Sequence, residues 1–117
     1  MRMINPDEFD DLKNQLTYAT VSAILSQIQE GLRQGRMTGE LDTSQTITLH
    51  VKGKDTQMYL DFSSEVVRLV KERLKVAGWC CGNIPLGKNS TKHYNLWRDP
   101  QWVPPVEKDI PGPGLGG

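Results

Sequence analysis

"NPDEFDDLKNQLTYATVSAILSQIQEGLR", Asn5 to Arg33, decides the architecture of this chain. Asn5 is a strong N-cap residue, Pro6 suits the first helical position, and Asp7 and Glu8 sit where the helix dipole favours acids. Glu8 follows Asn5 by three residues, the spacing of a capping box. Apolar residues then recur at helical period: Phe9, Leu12, Leu16, Ala19 and Ala23, with Val21, Ile24, Ile28 and Leu32 carrying the stripe onward. Gly31, Gly35 and Gly39 supply successive stop signals. The reading is one helix over residues 6–33.

Such a helix is about 42 Å long at 1.5 Å per residue, whereas a compact domain of about 100 residues has a radius of gyration near 13 Å. The rod therefore overhangs a small body, and its stripe needs cover. A second copy of the same helix supplies it. The expectation is a homodimer or higher oligomer with Phe9, Leu12, Leu16, Ala23, Ile24 and Ile28 at the seam. The alternative is a helix broken near Ser22 or Ser26 and folded back within one chain.

Beyond the helix, "TITLHVK" (46–52) alternates strictly, and "TQMYLDF" (56–62) repeats the pattern with Met58, Leu60 and Phe62 inward. Gly53-Lys54-Asp55 links them as a β-hairpin. Ser63 caps a second helix, whose Val66, Val67, Val70, Leu74 and Ala77 line one face and which Gly78 ends. Arg68, Lys71 and Lys75 share its outer face. Strands about residues 79–84 and 93–98 form a second hairpin. The order α-β-β-α-β-β implies a two-layer α+β fold, helices on one face of an antiparallel sheet of two hairpins. Residues 1–103 form the single domain. Residues 104–117 form a Pro/Gly-rich tail expected to be disordered, although Trp102 and the prolines after it can lie extended against the domain.

Composition narrows the function classes. The 117 residues are 37% hydrophobic with formal net charge zero, enough for one modest core. Charge is unevenly placed: residues 50–98 carry 9 bases and 4 acids, so this segment is +5 between acidic flanks. That field attracts phosphate but falls short of a committed nucleic-acid binder. No apolar run approaches membrane-spanning length, and "MRMINPDEFDD" has no apolar signal core. The two cysteines, Cys80 and Cys81, are neighbours poorly placed to bridge each other, so a reducing, cytoplasmic setting is expected.

"GNIPLGKNSTKHYNLW" (82–97) is one residue from a nucleotide-phosphate loop. Gly82, Gly87 and Lys88 match the Walker spacing, but Asn89 stands where a Ser or Thr must follow the lysine to reach Mg²⁺. The sequence after the loop reads as a strand, so no helix dipole faces a phosphate. A polar hairpin loop is the reading. It still gathers cations and small donors beside aromatic strand residues. Lys88, Asn89, Lys92, Asn95, Trp97 and Arg98 are the candidate ligand-binding set: Trp97 and Tyr94 to stack on a base, Asn95 to read its edge, and Lys88, Lys92 or Arg98 to meet phosphate. The competing reading makes Tyr94 and Leu96 core, with His93, Asn95 and Trp97 merely facing out.

Cys80, Cys81, His50 and His93 are the possible zinc ligands, but adjacent strand cysteines point to opposite faces and lack paired spacing. Cys81 reads as a small core residue. Nothing orients a base for a Cys–His nucleophile. No metal, cofactor or catalytic constellation is expected, and the chain reads as non-enzymatic.

The long first helix, "SSEVVRLVKERLKVAGW" (63–79) and a polar hairpin ending "YNLW" (94–97) together resemble small tailed-phage accessory proteins. Those include inhibitors of bacterial defence, among them oligomeric sponges that sequester cyclic nucleotide signals. The resemblance implies a phage-encoded protein acting in the host cytoplasm, with a signalling nucleotide as partner. The site residues themselves rest on the chemistry above. Two other expectations stand beside it: a module docking on a host protein through its sheet or the "WVPP" segment, and nucleic-acid binding by Arg68, Lys71, Lys75 and the loop lysines.

Overall fold

The structure is a computed structural model that describes residues 3–51, 53–82 and 93–104. Helix α1 spans Pro6–Arg33 without a break, so the fold-back at Ser22 or Ser26 does not occur. Its start is capped as the sequence dictates: Asn5 Oδ1 accepts from the Glu8 N–H at 2.9 Å. The Asn5 side-chain amide in turn donates to Glu8 Oε1 at 2.8 Å. Its end is a Schellman motif. Gly35, at φ 80°, turns left-handed, while the Arg36 N–H bonds to Gly31 O and the Gly35 N–H to Leu32 O, both at 2.9 Å. Of the three glycine stops only Gly35 acts as one. Gly31 lies inside the helix, and Gly39 lies in a short strand.

That strand, β1 (Thr38–Glu40), was not expected in the polar connector. It is followed by β2 (Thr46–Val51), β3 (Lys54–Tyr59), α2 (Ser64–Val76), β4 (Trp79–Cys81) and β5 (His93–Arg98). The fold is α+β with antiparallel pairing throughout. The two hairpins do not share a sheet, however. β1, β5 and β4 form a three-stranded sheet in that order, and β2–β3 form a separate two-stranded one.

The reason lies along α1. The main core gathers Val21, Ile24 and Ile28 of α1, Leu41, Val66, Val70 and Leu74 of or near α2 and the connector, and Tyr94 and Leu96 of β5. It covers the C-terminal half of the helix. The overhanging N-terminal half meets β2 instead, where Leu49 is 2% exposed. What reads as one stripe divides: Val21, Ile24 and Ile28 belong to the core cluster with α2 and the larger sheet, and Leu16 is buried outside it. A two-stranded hairpin is marginal alone, so helix and hairpin stabilise each other.

This corrects the seam. Leu16, Ala23, Ile24 and Ile28 are 7%, 8%, 0% and 1% exposed within the single chain, so they are core rather than contact surface. Leu12 is half-buried. Phe9 is 52% exposed, and it stands at the fourth helical position with Ile4 just before the cap, the pair of positions of a hydrophobic staple.

Three polar side chains of α1 bind the passing backbone. Gln15 Nε2 donates to His50 O at 2.6 Å and Gln15 Oε1 accepts from the His50 N–H at 3.0 Å. Gln27 does the same at the connector, accepting from the Asp42 N–H at 2.7 Å and donating to Asp42 O at 3.2 Å. Buried Thr20 accepts from the Asp61 N–H at 3.1 Å. Each glutamine acts as a one-residue strand that satisfies an edge peptide. Gln15→Ala is expected to cost about 1 kcal/mol, because the edge peptide returns to water rather than being orphaned. Urea unfolding checks the cost, and faster amide exchange at His50 checks its location.

Trp102 docks, as the extended reading of its segment allows. Its Nε1 donates to Val76 O at 2.9 Å, and the Asp99 N–H bonds to Gly78 O at 2.9 Å. No helix of the described residues is long and apolar enough to cross a membrane.

Candidate functional site

Strand β5 divides the candidate residues by its pleat. Tyr94 and Leu96 face the core, each 4% exposed. His93, Asn95 and Trp97 face the other way. The register fills out that outer face: Thr38 of β1 lies opposite Asn95, and Cys80 of β4 lies opposite Trp97. Trp97 is 47% exposed there. Cys81 packs against the core while Cys80 shares the face of Trp97, so the alternation expected of the two cysteines holds.

The centre of this face is polar and unsatisfied. Asn95 Oδ1 is shut off from solvent and has no hydrogen-bond partner among the described residues. Beside it, the Gly82 N–H continues the ladder to Asn95 O at 3.0 Å. A Cβ at position 82 would stand 2.7 Å from Asn95 Oδ1 and 3.0 Å from the Trp97 ring. Glycine at 82 therefore lets the amide and the indole close over the β4 backbone. An acceptor stripped of water and left without a donor costs about 1–3 kcal/mol. A rotation of the amide that brings this oxygen to the surface lets an incoming N–H or O–H recover that cost. At the edge, His93 Nε2 lies 3.7 Å from Glu40 Oε2, both side chains exposed.

The six candidate residues thus separate. Asn95 and Trp97 come together. Arg98 does not join them: it pairs with Trp79, which packs on the core, so alternation puts it at the strand end on the opposite side. Lys88, Asn89 and Lys92 lie outside the described residues. Gly82 is the member sequence reading missed as a contact, because its role depends on a neighbour across the sheet. The segment after the loop is strand, which leaves the Walker-like spacing without its helix.

The underside of the same strand explains the geometry. The Tyr94 ring lies over Gly39, and its hydroxyl is wedged towards Gly31 of α1. Burial holds this phenol above its ordinary value of 10.0, with Arg36 pulling it down and Cys81 adding to the rise. The fold thus prefers the neutral phenol. That preference contributes stability below pH 10 and is lost as pH rises past the raised value. Stability above pH 10 is expected to fall more steeply in the wild type than in Tyr94→Phe, as thermal unfolding across that range would show.

Elsewhere the chemistry is quieter. Arg68 is held by Glu65 at 2.7 Å and Glu72 at 2.6 Å, and the hydrogen bond to Glu65, then the charges of both acids, raise its pKa. Only Lys71 and Lys75 of that basic face remain without an ion pair among the described residues. His50 pairs with Asp55 across β2–β3, in a different sheet from the cysteines. Among the described residues no three His, Cys, Asp or Glu side chains gather as a metal would need. No family model, curated protein or solved structure matches the chain.

Proposed function

We propose that this is a non-enzymatic binding protein that takes a planar, phosphate-bearing ligand such as a signalling nucleotide on the outer face of the three-stranded sheet. The observation that carries the reading is the buried, unpartnered Asn95 Oδ1 beside half-exposed Trp97 over Gly82. Trp97 offers a stacking platform, worth about 1–3 kcal/mol per base. The Asn95 amide supplies an acceptor and donors for a base edge. Lys88 and Lys92, which the sequence places between β4 and β5, are the cations for phosphate, with Asn89 a further donor. A site of this kind holds its ligand without transforming it, which suits sequestration of a host defence signal by a phage-encoded protein in the host cytoplasm.

A host-protein hook at Trp102 has less support, since that indole already rests on its own domain over Gly78. A thermal-shift panel of cyclic and linear nucleotides tests the proposal. A bound nucleotide raises the melting temperature with concentration, and Trp97→Ala and Asn95→Ala abolish the rise. A wild-type protein that responds to no member of the panel would overturn it.

A further inference from the structure

The rod formed by α1 has two unlike ends. At the first, Met3, Ile4 and Phe9 are 81%, 56% and 52% exposed. Between Met3 and Leu12 stand four acids, Asp7, Glu8, Asp10 and Asp11, and no base. Asp7 and Asp10 make no ion pair among the described residues. At the second end, the last turns of α1 and α2 leave a groove of about 350 Å³, floored by Leu25, Ile28, Leu32, Leu74 and Trp79 with Arg73 at its rim. Arg73 has no acid partner among the described residues, and neighbouring Glu72 is held by Arg68. One end is therefore apolar and acidic, the other apolar and basic. They lie about 30 Å apart along a straight helix, from roughly 20 residues at 1.5 Å each, so no chain reaches its own groove.

We infer that the acidic, apolar tip of one copy seats in the groove of the next, Ile4 and Phe9 entering the apolar floor and Asp10 or Asp11 meeting Arg73. This contact is independent of the nucleotide reading. It is heterologous, joining unlike surfaces, so it builds a ring or an open chain rather than an isologous pair along the helix. The tip is small, which places the contact in the weak, low-area class. Its charges are exposed, so salt weakens it.

Sedimentation velocity on the full chain, in a micromolar concentration series at low and high salt, reads the assembly. Mass is expected to grow with concentration and to shrink with salt. Arg73→Glu alone, and Asp10→Lys with Asp11→Lys alone, each lower the association constant about tenfold or more, because like charges then face each other. All three changes lie on exposed side chains, and circular dichroism verifies the fold. The decisive variant carries both reversals in one chain, which restores self-association. A wild type that stays monomeric throughout overturns the inference, as does association indifferent to both reversals. A doubly reversed chain that stays monomeric also contradicts it.

Discussion

Gly31→Ala is expected to destabilise the protein by about 2 kcal/mol, although the same exchange in an ordinary helix interior stabilises by roughly 1 kcal/mol. The added methyl would stand 2.7 Å from the Tyr94 hydroxyl. A tyrosine oxygen can often swing aside. Here the ring is pinned, because it lies over Gly39 and the residue is 4% exposed. The hydroxyl is the only part of Tyr94 near position 31, the next neighbour being Arg36 O at 3.9 Å. Tyr94→Phe therefore removes the obstacle, and in that background Gly31→Ala becomes neutral or stabilising. Gly39→Ala behaves differently. Its methyl would meet the hydroxyl at 2.8 Å and also two ring carbons at 3.0 Å, so Tyr94→Phe rescues it only in part. Urea unfolding of the two double-mutant cycles reads the coupling. Equal rescue at both positions would contradict this placement of the ring.

Gly78→Ala should cost more, about 3 kcal/mol, since two penalties add at one atom. Gly78 sits at φ 97°, where an L-residue costs about 1–2 kcal/mol. Its new methyl would also lie 2.8 Å from the Trp102 indole. That indole is held by its bond to Val76 O, so the strain is relieved only by releasing the segment after β5. With Trp102→Ala already in place, the cost of Gly78→Ala should fall to the backbone share alone. Thermal unfolding measures both costs, and loss of near-ultraviolet dichroism in Gly78→Ala reports release of the indole. An unchanged cost in the Trp102→Ala background would show that the ring does not rest there.

The sequence states its helices plainly because their signals are local. Asn5-Pro6 and Gly35 bound α1, and Ser63 and Gly78 bound α2, each acting within a turn of its own position. The sheets were harder to read. β1 has three residues and no alternation of its own; it exists because Thr38 pairs with Asn95 far along the chain. The two parts of the stripe on α1 share one period, so spacing alone merged them and suggested a seam. Which neighbour each half meets is a tertiary fact. The overhanging half needs cover, and within one chain β2 packs against it.

Two of the three candidate residues among the described ones were readable for the same reason. Asn95 and Trp97 share a face by simple alternation. Arg98 was grouped with them by chemistry, although its place in the pleat sets it on the other side. Gly82 reads as a loop glycine in one dimension. Only the register shows it lying under an amide and an indole.

The functional account rests on the outer face of β5. Its most direct test is a nuclear magnetic resonance titration that follows the Asn95 side-chain amide and the Trp97 indole N–H while nucleotides are added singly. The account predicts that one or more nucleotides shift both signals together, along with backbone amides of Gly82, and that inorganic phosphate alone leaves the indole unmoved. Signals that stay in place for every nucleotide at millimolar concentration, or shifts confined to α2, would contradict it.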